Sequence, residues 1–343
     1  MSEIVSFAQL LARVSDGEIL NVEDSTLAVG AIMAGDVTPP DMAAFLTALA
    51  KRSPSVDEIT GGARAMRAAM RTITAPDDAI DLCGTGGDGH GTVNISTACA
   101  FVVAACGVPV AKHGNRSASS RTGTADVLET LGVKIDQTPE GAQACLKESG
   151  LCFLFAPAYH TAMKHVAPVR KELGFRTLFN LLGPVCNPAH VRRQLLGVYA
   201  KEWVEPIAHV LAGLGAERAW VVHGSDGLDE LTTTGITHAA ILENGAITLR
   251  DIAPEDAGLR RAQLNELKGG ERDENAAALI RVLNGEHGAF RDIVLLNAAA
   301  ALNIAGKANN LRDGAALAAN AIDSGAAKAT LEKLVRASQS VTA

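Results

Sequence analysis

Aromatic side chains are scarce: Phe, Trp and Tyr make up only 3% of the 343 residues. Alanine and other small residues fill their place, which favours closely packed helices over an all-β sandwich. Charged residues are also few, at 20% against 48% hydrophobic ones. A chain of this length and composition folds around a large core and forms more than one folding unit. Basic charge is not in excess. The net charge of −7 argues against general nucleic-acid binding, which needs a basic surface. No window approaches the ~20 apolar residues of a membrane span. The first residues, Met1-Ser2-Glu3, bring neither a basic segment nor an apolar run, so the cytoplasm is the expected location and no membrane partner is expected.

Cysteine pairs are missing too. The six cysteines, Cys83, Cys99, Cys106, Cys145, Cys152 and Cys186, form no C-x-x-C motif and lie mostly in apolar runs. They read as buried, reduced thiols of a cytosolic protein. His160, His165 and His190 lack zinc-site spacing, and no Ser–His–Asp or Cys–His set follows from residue order. Asn94-Ile95-Ser96 and Asn115-Arg116-Ser117 match the N-glycosylation pattern, which has no meaning without a secretory route.

Two glycine-rich turns stand out. The first is Gly84-Thr85-Gly86-Gly87-Asp88-Gly89, running through Thr92 to Asn94-Ile95-Ser96-Thr97. The second is Lys112-His113-Gly114-Asn115-Arg116, running through Ser117, Ala118, Ser119 and Ser120 to Gly123-Thr124. A β-like run precedes each turn, Ala79–Cys83 and Val108–Ala111. A helix-like run follows each, Thr97–Cys106 and Thr124–Leu131. Glycines let backbone approach a ligand closely, and each helix N-terminus offers free amides and a positive dipole end. Two such cradles on neighbouring strands suit a ligand with two separate phosphate clusters. Residues 112 to 176 carry nine Lys/Arg against six Asp/Glu, a mildly basic stretch that suits a small anion.

Other readings compete. Gly84-x-Gly86-x-x-Gly89 matches the dinucleotide fingerprint, but Asp88 would repel a pyrophosphate unless a cation intervenes, and the acid expected about 20 residues on is missing. The second turn also reads as a solvated loop, although nearly all its side chains donate hydrogen bonds to anions. Asp229-Glu230, after the turn signal Asp226-Gly227, is either a solvated acidic pair or a magnesium site completed by water and phosphate oxygens.

The expected fold class is α/β. Residues 1–72 read as a small helical unit, in which Thr38-Pro39-Pro40-Asp41 opens a helix carrying Met42, Phe45, Leu46 and Leu49. A second helix opens at Ser55 and carries Ile59, Ala63, Met66 and Met70. Ala75-Pro76-Asp77-Asp78 is a hinge candidate. Residues 73–343 read as a larger α/β unit with a mainly parallel sheet. Its further strand candidates are Cys152–Phe155, Leu195–Tyr199, Ala219–His223 and Ala239–Leu242, and its helices include Val204–Leu214 and Glu274–Leu283. The basic, helix-like stretch from His160 to about Asn187 breaks the rhythm and is expected to join the small unit near 165–187 and wall a cleft. An Ala-rich helical region runs from Val294 to Leu334.

At these residues the sequence resembles the anthranilate phosphoribosyltransferase family. The matching pieces are Gly84-Thr85-Gly86-Gly87-Asp88, Asn94-Ile95-Ser96-Thr97, Lys112-His113-Gly114-Asn115-Arg116, Arg176-Thr177-x-x-Asn180-Leu181-Leu182-Gly183-Pro184 and Gly227-Leu228-Asp229-Glu230. They occur in family order over nearly the whole chain. The resemblance implies a homodimer with a nucleoside-phosphorylase-like arrangement and an active site in the cleft between the two units. It implies transfer of the phosphoribosyl group of phosphoribosyl pyrophosphate to the amine of anthranilate. It places the donor against Gly84, Gly87, Asp88, Thr92, Asn94, Ile95, Ser96 and Thr97, and against Lys112 through Ser120 and Thr124. It gives Ser96 to one Mg²⁺ and Asp229 and Glu230 to a second. Anthranilate would meet Gly84, Asn115 and Arg170, with His113, His160 and Gly183 along its path. Lys112, Asn115 and Arg170 are the catalytic candidates. Thr161 departs from the proline usual in the family and bears on the anthranilate entrance. A pyrimidine nucleoside phosphorylase-like enzyme is the alternative, and a nucleic-acid-binding relative a third reading.

Overall fold

The helices of the N-terminal unit start where side chains take over the free amides of the first turn. Ser6 caps α1 (Phe7–Ser15), with Gln9 reaching back to its amide, and Asn21 caps α2 (Val22–Ala34). Thr38 caps α3 (Pro39–Arg52), whose first two residues are prolines, and Ser55 caps α4 (Val56–Ala68), with Glu58 completing the box. The faces predicted from spacing are buried: Met42, Phe45, Leu46 and Leu49 on α3, and Ile59, Ala63 and Met66 on α4. Met70 is buried as well, but lies beyond the end of α4. Helices α2 and α4 touch closely, since a Cβ on Gly61 would sit 2.4 Å from the Val22 carbonyl oxygen.

The computed structural model describes residues 5–87, 89–116 and 122–340. Beyond the linker, strands and helices alternate: β1 (Ile80–Gly84), α5 (Ile95–Ala105), β2 (Val110–Gly114), α6 (Thr124–Thr130), α7 (Pro139–Ser149) and β3 (Leu151–Phe155). Three short helices follow, α8 (Ala156–Tyr159), α9 (Ala167–Leu173) and α10 (Phe179–Val185). The chain then forms β4 (Arg193–Gly197), α11 (Val204–Gly213), β5 (Arg218–Gly224), β6 (Thr237–Glu243) and β7 (Ala246–Ile252). It ends with α12 (Arg272–Leu283), α13 (Ala289–Ile304), α14 (Leu311–Asp323) and α15 (Ala326–Ser340).

The strands form one sheet in the order β3-β2-β1-β4-β5-β6-β7. Neighbours from β3 to β5 are parallel, and β6 and β7 add an antiparallel edge. Side chains alternate between two cores, as the period of two in a strand requires. Leu195, Trp220 and Val222 face a core built with α5, α7 and α12 to α15. Leu196, Val221 and Ala240 face a second core that includes α11 and the N-terminal helices. The Ala-rich C-terminal region packs at backbone distance, because a Cβ on Gly314 of α14 would lie 2.8 Å from the Ala299 Cα of α13.

Three local features differ from the sequence reading. Strand β2 runs on to Gly114, so Lys112 and His113 sit on a strand end and not in a turn. The stretch after His160 is not continuous helix. A 3-10 turn, Thr161–His165, precedes α9, and Gly174 in the left-handed region (φ +69°) ends α9 before α10 begins. Val166, Val169, Leu178, Leu181 and Leu182 bury this stretch against the N-terminal helices. Strand β7 has an almost wholly exposed or half-exposed face pattern, so it carries little of the apolar alternation by which strands are recognised.

Candidate active site

Strands β1 and β4 lie side by side, with Gly84 paired to Gly197 at their C-terminal ends. The sheet grows outward from β1 through β2 and β3 on one side and from β4 through β5 on the other. The ends of β1 and β4 therefore form a topological switch point, where open α/β sheets bind ligands. A loop from far along the chain fills this place. A Cβ on Gly84 would lie 2.3 Å from Asp229 Oδ2, and one on Gly197 only 1.5 Å from the Asp229 carbonyl oxygen. Both glycines thus make room for Asp229, and the Gly86 amide donates to Asp229 Oδ2 at 2.7 Å. Gly86 and Gly87 both take positive φ, +66° and +78°, which only glycine adopts at no steric cost.

Glu230 reaches the start of α5, where its Oε1 accepts from the Ser96 amide at 3.2 Å. The acidic loop is fixed from both sides. Asp226 accepts from the Thr232 and Thr234 hydroxyls at 2.6 and 2.5 Å. The fully buried Asn297 of α13 brackets Leu231, accepting from its amide at 2.9 Å and donating to its carbonyl at 2.8 Å.

Lys112 closes the site from β2. It is 2% exposed, and its Nζ donates to Ser96 Oγ at 3.1 Å and to the Leu82 carbonyl of β1 at 2.5 Å. Strands β1 and β2 share a single register pair, Ile80 with Val110. Beyond it, side chains replace the ladder: the buried Asp81 accepts from the His113 amide at 3.0 Å, and Asn187 donates to the Ala111 carbonyl at 2.8 Å. Asp81 Oδ2 makes no hydrogen bond. Burial raises the Asp81 carboxyl above its ordinary range, while the Lys112 charge acts in the opposite direction.

The remaining donor-site candidates divide. Asn94 Nδ2 donates to the Thr122 carbonyl at 3.3 Å, and Thr97 and Thr124 share a hydroxyl bond of 3.1 Å, so the two turns are joined directly. Thr92 forms an isolated bridge with Lys268. Ile95 turns its side chain into the core. Gly114 lies against Phe153, where a Cβ would come within 2.9 Å of the ring. Asn115 uses Oδ1 to accept from the Arg116 amide at 2.7 Å. Arg116 is turned toward α6, with ion pairs to Asp126 at 2.9 Å and Glu129 at 2.5 Å. Asp88, Ser117, Ala118, Ser119 and Ser120 lie outside the described residues.

On the acceptor side, His113 and His160 meet through their Nε2 atoms at 3.2 Å. Burial lowers both, His113 to about 3 with the nearby His160 and Lys112 adding to the shift, and His160 to about 4. Neutral imidazoles are therefore the stable forms at neutral pH. A Cβ on Gly183 would meet nothing within 4 Å, so its α-carbon faces open space. Arg170 donates to Asn180 Oδ1 at 3.3 Å and stacks 6.0 Å from the Phe179 ring centre, and burial lowers its pKa.

Arg176 lies within a recognised motif, but the sequence reading does not single it out as a site residue. Its guanidinium donates to the Gly87 carbonyl and lies 4.0 Å over the Tyr199 ring. It thereby ties the 160–187 wall to the first glycine turn. Its place at the head of the Arg176-Thr177-x-x-Asn180 run is the available signal, but its partner lies 89 residues away.

The donor set suits a hard divalent cation. Asp229 accepts from an amide of the first turn and Glu230 from the Ser96 amide at the start of α5, so both carboxylates and the Ser96 hydroxyl supply only oxygen. Among the described residues no group of three or more His, Cys, Asp or Glu side chains forms a closed metal cage. A cation held by Asp229 and Glu230 would complete its shell with water and phosphate oxygens, as Mg²⁺ prefers.

The chain is similar throughout its length to known proteins. Residues 8–70 match the model of the helical bundle domain of a glycosyl transferase family, and residues 76–328 match that family's a/b domain. An anthranilate phosphoribosyltransferase of Rhodopseudomonas palustris (strain TIE-1) is 56% identical over 335 residues, covering 98% of this chain and 99% of that protein. One from Methylocella silvestris is 57% identical and covers 96% of this chain and 94% of its own. The solved anthranilate phosphoribosyltransferase of Thermus thermophilus superposes with a TM-score of 0.92 at 46% identity, covering 96% of this chain and 99% of its own. The Saccharomyces cerevisiae enzyme in complex with PRPP and Mg superposes at 0.88 with 29% identity, covering 98% and 99%.

Proposed function

The chain belongs to the anthranilate phosphoribosyltransferase family, and we propose that it carries out that family's transfer at the switch-point site just described. The reaction joins the anthranilate amine to C1 of phosphoribosyl pyrophosphate, giving N-(5-phosphoribosyl)anthranilate and pyrophosphate, the second step from chorismate to tryptophan. The observation that carries the reading is the convergence of Asp229, Glu230, Ser96 and Lys112 on the first glycine turn.

In this reading the donor lies between the two turns. Lys112 and the amide end of α5 stabilise negative charge as the C1–oxygen bond breaks and its electron pair leaves with pyrophosphate. Mg²⁺, two per subunit, would be held by Ser96 and by the Asp229–Glu230 pair and would neutralise the pyrophosphate charge. The N–C1 bond forms as the other breaks, and the amine then releases a proton. An aromatic amine is neutral at pH 7, so no strong base is required. Arg170 and Asn115 orient the benzoate, with His113, His160 and Gly183 along its entrance. Positioning supplies much of the rate, aided by closure of the helical unit, residues 1–72 with the 165–187 stretch, over the α/β unit. The shared burial of Ile59, Val169 and Leu182 supports joining that stretch to the helical unit.

The same reading includes a homodimer in the cytoplasm. Exposed Ile19 and Leu27 on the helical unit fit a subunit contact, and all six cysteines are unpaired. No described helix is long and apolar enough to cross a membrane. The test is loss of anthranilate fluorescence on adding phosphoribosyl pyrophosphate. The expected loss depends on both donor and Mg²⁺. A folded protein that leaves the fluorescence unchanged but cleaves pyrimidine nucleosides with phosphate would overturn the reading.

A further inference from the structure

Two residues outside every glycine-rich motif, Gly270 and Asn275, close a ring of hydrogen bonds with Asn94 and Thr122 at the base of both phosphate turns. Asn275, near the start of α12 and 2% exposed, donates through Nδ2 to Asn94 Oδ1 at 2.9 Å. Asn94 Nδ2 donates to the Thr122 carbonyl at 3.3 Å, and Thr122 Oγ1 donates to the Gly270 carbonyl at 3.0 Å. The Gly270 amide returns to Asn275 Oδ1 at 2.7 Å and closes the ring. Asn94 leads into α5 from the first turn, Thr122 leads into α6 from the second, and Gly270 and Asn275 belong to neither.

The strap carrying Gly270 is also laced to the first turn by backbone. The Val93 amide donates to the Leu267 carbonyl at 3.0 Å and the Gly269 amide to the Gly91 carbonyl at 2.9 Å. The approach is too close for any side chain at Gly269, where a Cβ would lie 2.5 Å from the Thr92 carbonyl oxygen and 2.8 Å from Asn275 Oδ1. The Leu267 and Gly270 carbonyls and the Gly269 amide of the strap are thus directed at the two turns.

We infer that Asn275 is a positioning residue for the phosphoribosyl donor, which sets the spacing of the two phosphate turns through Asn94 and Thr122. The inference rests on the donor site proposed above. Both asparagine side chains use both ends of the amide: Nδ2 of each donates, and Oδ1 of each accepts within the ring. An asparagine at each place supplies both a donor and an acceptor in one plane, so one bond fixes the orientation of the other. Removing one member leaves a buried polar partner unpaired and loosens the hold on Asn94 and Gly270, while the Thr97–Thr124 bond still joins the turns. The phosphates of the donor must then order what the ring had ordered, and that cost falls on donor binding.

The experiment compares Asn275→Ala, Thr122→Val and the double variant with the parent enzyme, measuring KM for both substrates, kcat and Tm. Each single variant is expected to raise the donor KM about tenfold, the scale of one buried unpaired group. The anthranilate KM is expected to stay within about twofold, well inside that scale. Because the ring acts as a unit, the double variant should be little worse than either single one. A lowered Tm with an unchanged donor KM would reduce Asn275 to a structural residue and overturn the inference, as would strictly additive effects of the two substitutions. Should Asn275→Ala fail to fold, Thr122→Val alone decides the donor KM question. A parent enzyme that shows no donor-dependent turnover would contradict the donor site itself, an outcome distinct from active variants with ordinary donor affinity.

Discussion

At the scale of single residues, burial decides which groups carry charge. His113 and His160 face each other with both pKa values lowered, to about 3 and about 4, from an ordinary 6.5. Their unfolded forms bind protons more readily than the folded ones, so folding stability falls as pH drops below about 6.5 and continues to fall toward pH 4. Above that window both are neutral in either state and the effect vanishes. His113→Gln with His160→Gln should therefore flatten the loss of Tm between pH 6.5 and 4 relative to the parent. An equally steep acid limb in the double variant would show that other groups govern it. The family resemblance names both histidines as acceptor-side candidates, but residue order does not convey their mutual contact, since 47 residues separate them. Arg116 shows what residue order leaves out: its place in a donor-rich turn suggests an anion ligand, and the structure adds ion pairs of its guanidinium with Asp126 and Glu129.

At the scale of elements, the two strand–turn–helix units were legible because their signals are local. A β-like run, a glycine cluster and an apolar helix follow one another within about 30 residues, the length of one such unit. The loop carrying Asp229 and Glu230 was visible as an acidic pair, but its docking on β1 and β4 was not. That docking depends on Gly84 and Gly197, whose value lies in the absence of a side chain. The two glycines should respond differently to alanine. At Gly84 the new methyl meets the end of the Asp229 carboxylate, which can rotate away, so Gly84→Ala should impair Mg²⁺-dependent activity with a Tm close to the parent value. At Gly197 it meets the Asp229 backbone, which must move with the loop. Gly197→Ala should lose both activity and stability, on the order of 1–3 kcal/mol as for other overpacked sites. Equal stability of the two variants would mean that the loop is not seated as described. The sequence from His160 to Asn187 reads as helical, and its break at Gly174 is silent there because a left-handed glycine ends a helix without altering the polarity pattern.

Across the whole molecule, topology gathers what the sequence scatters. Strand order places the ends of β1 and β4 together and brings the first turn, α5 and the acidic loop to one point. The α/β class and helical first unit were readable from periodicity, whereas strand order and the antiparallel β6–β7 edge depend on long-range pairing. The N-terminal helices and the 160–187 wall share a core with one face of the sheet, which sets the wall over the site, tethered by Arg176 to Gly87. The central claim is that this convergence binds the donor's pyrophosphate through Mg²⁺ on Asp229 and Glu230. The most direct measurement is a Mg²⁺ titration of initial rate for the parent and for Asp229→Asn with Glu230→Gln, at saturating anthranilate and donor. The expected result is a large loss of rate at limiting Mg²⁺ that added Mg²⁺ partly restores. Full activity of the double variant at limiting Mg²⁺ would contradict the account.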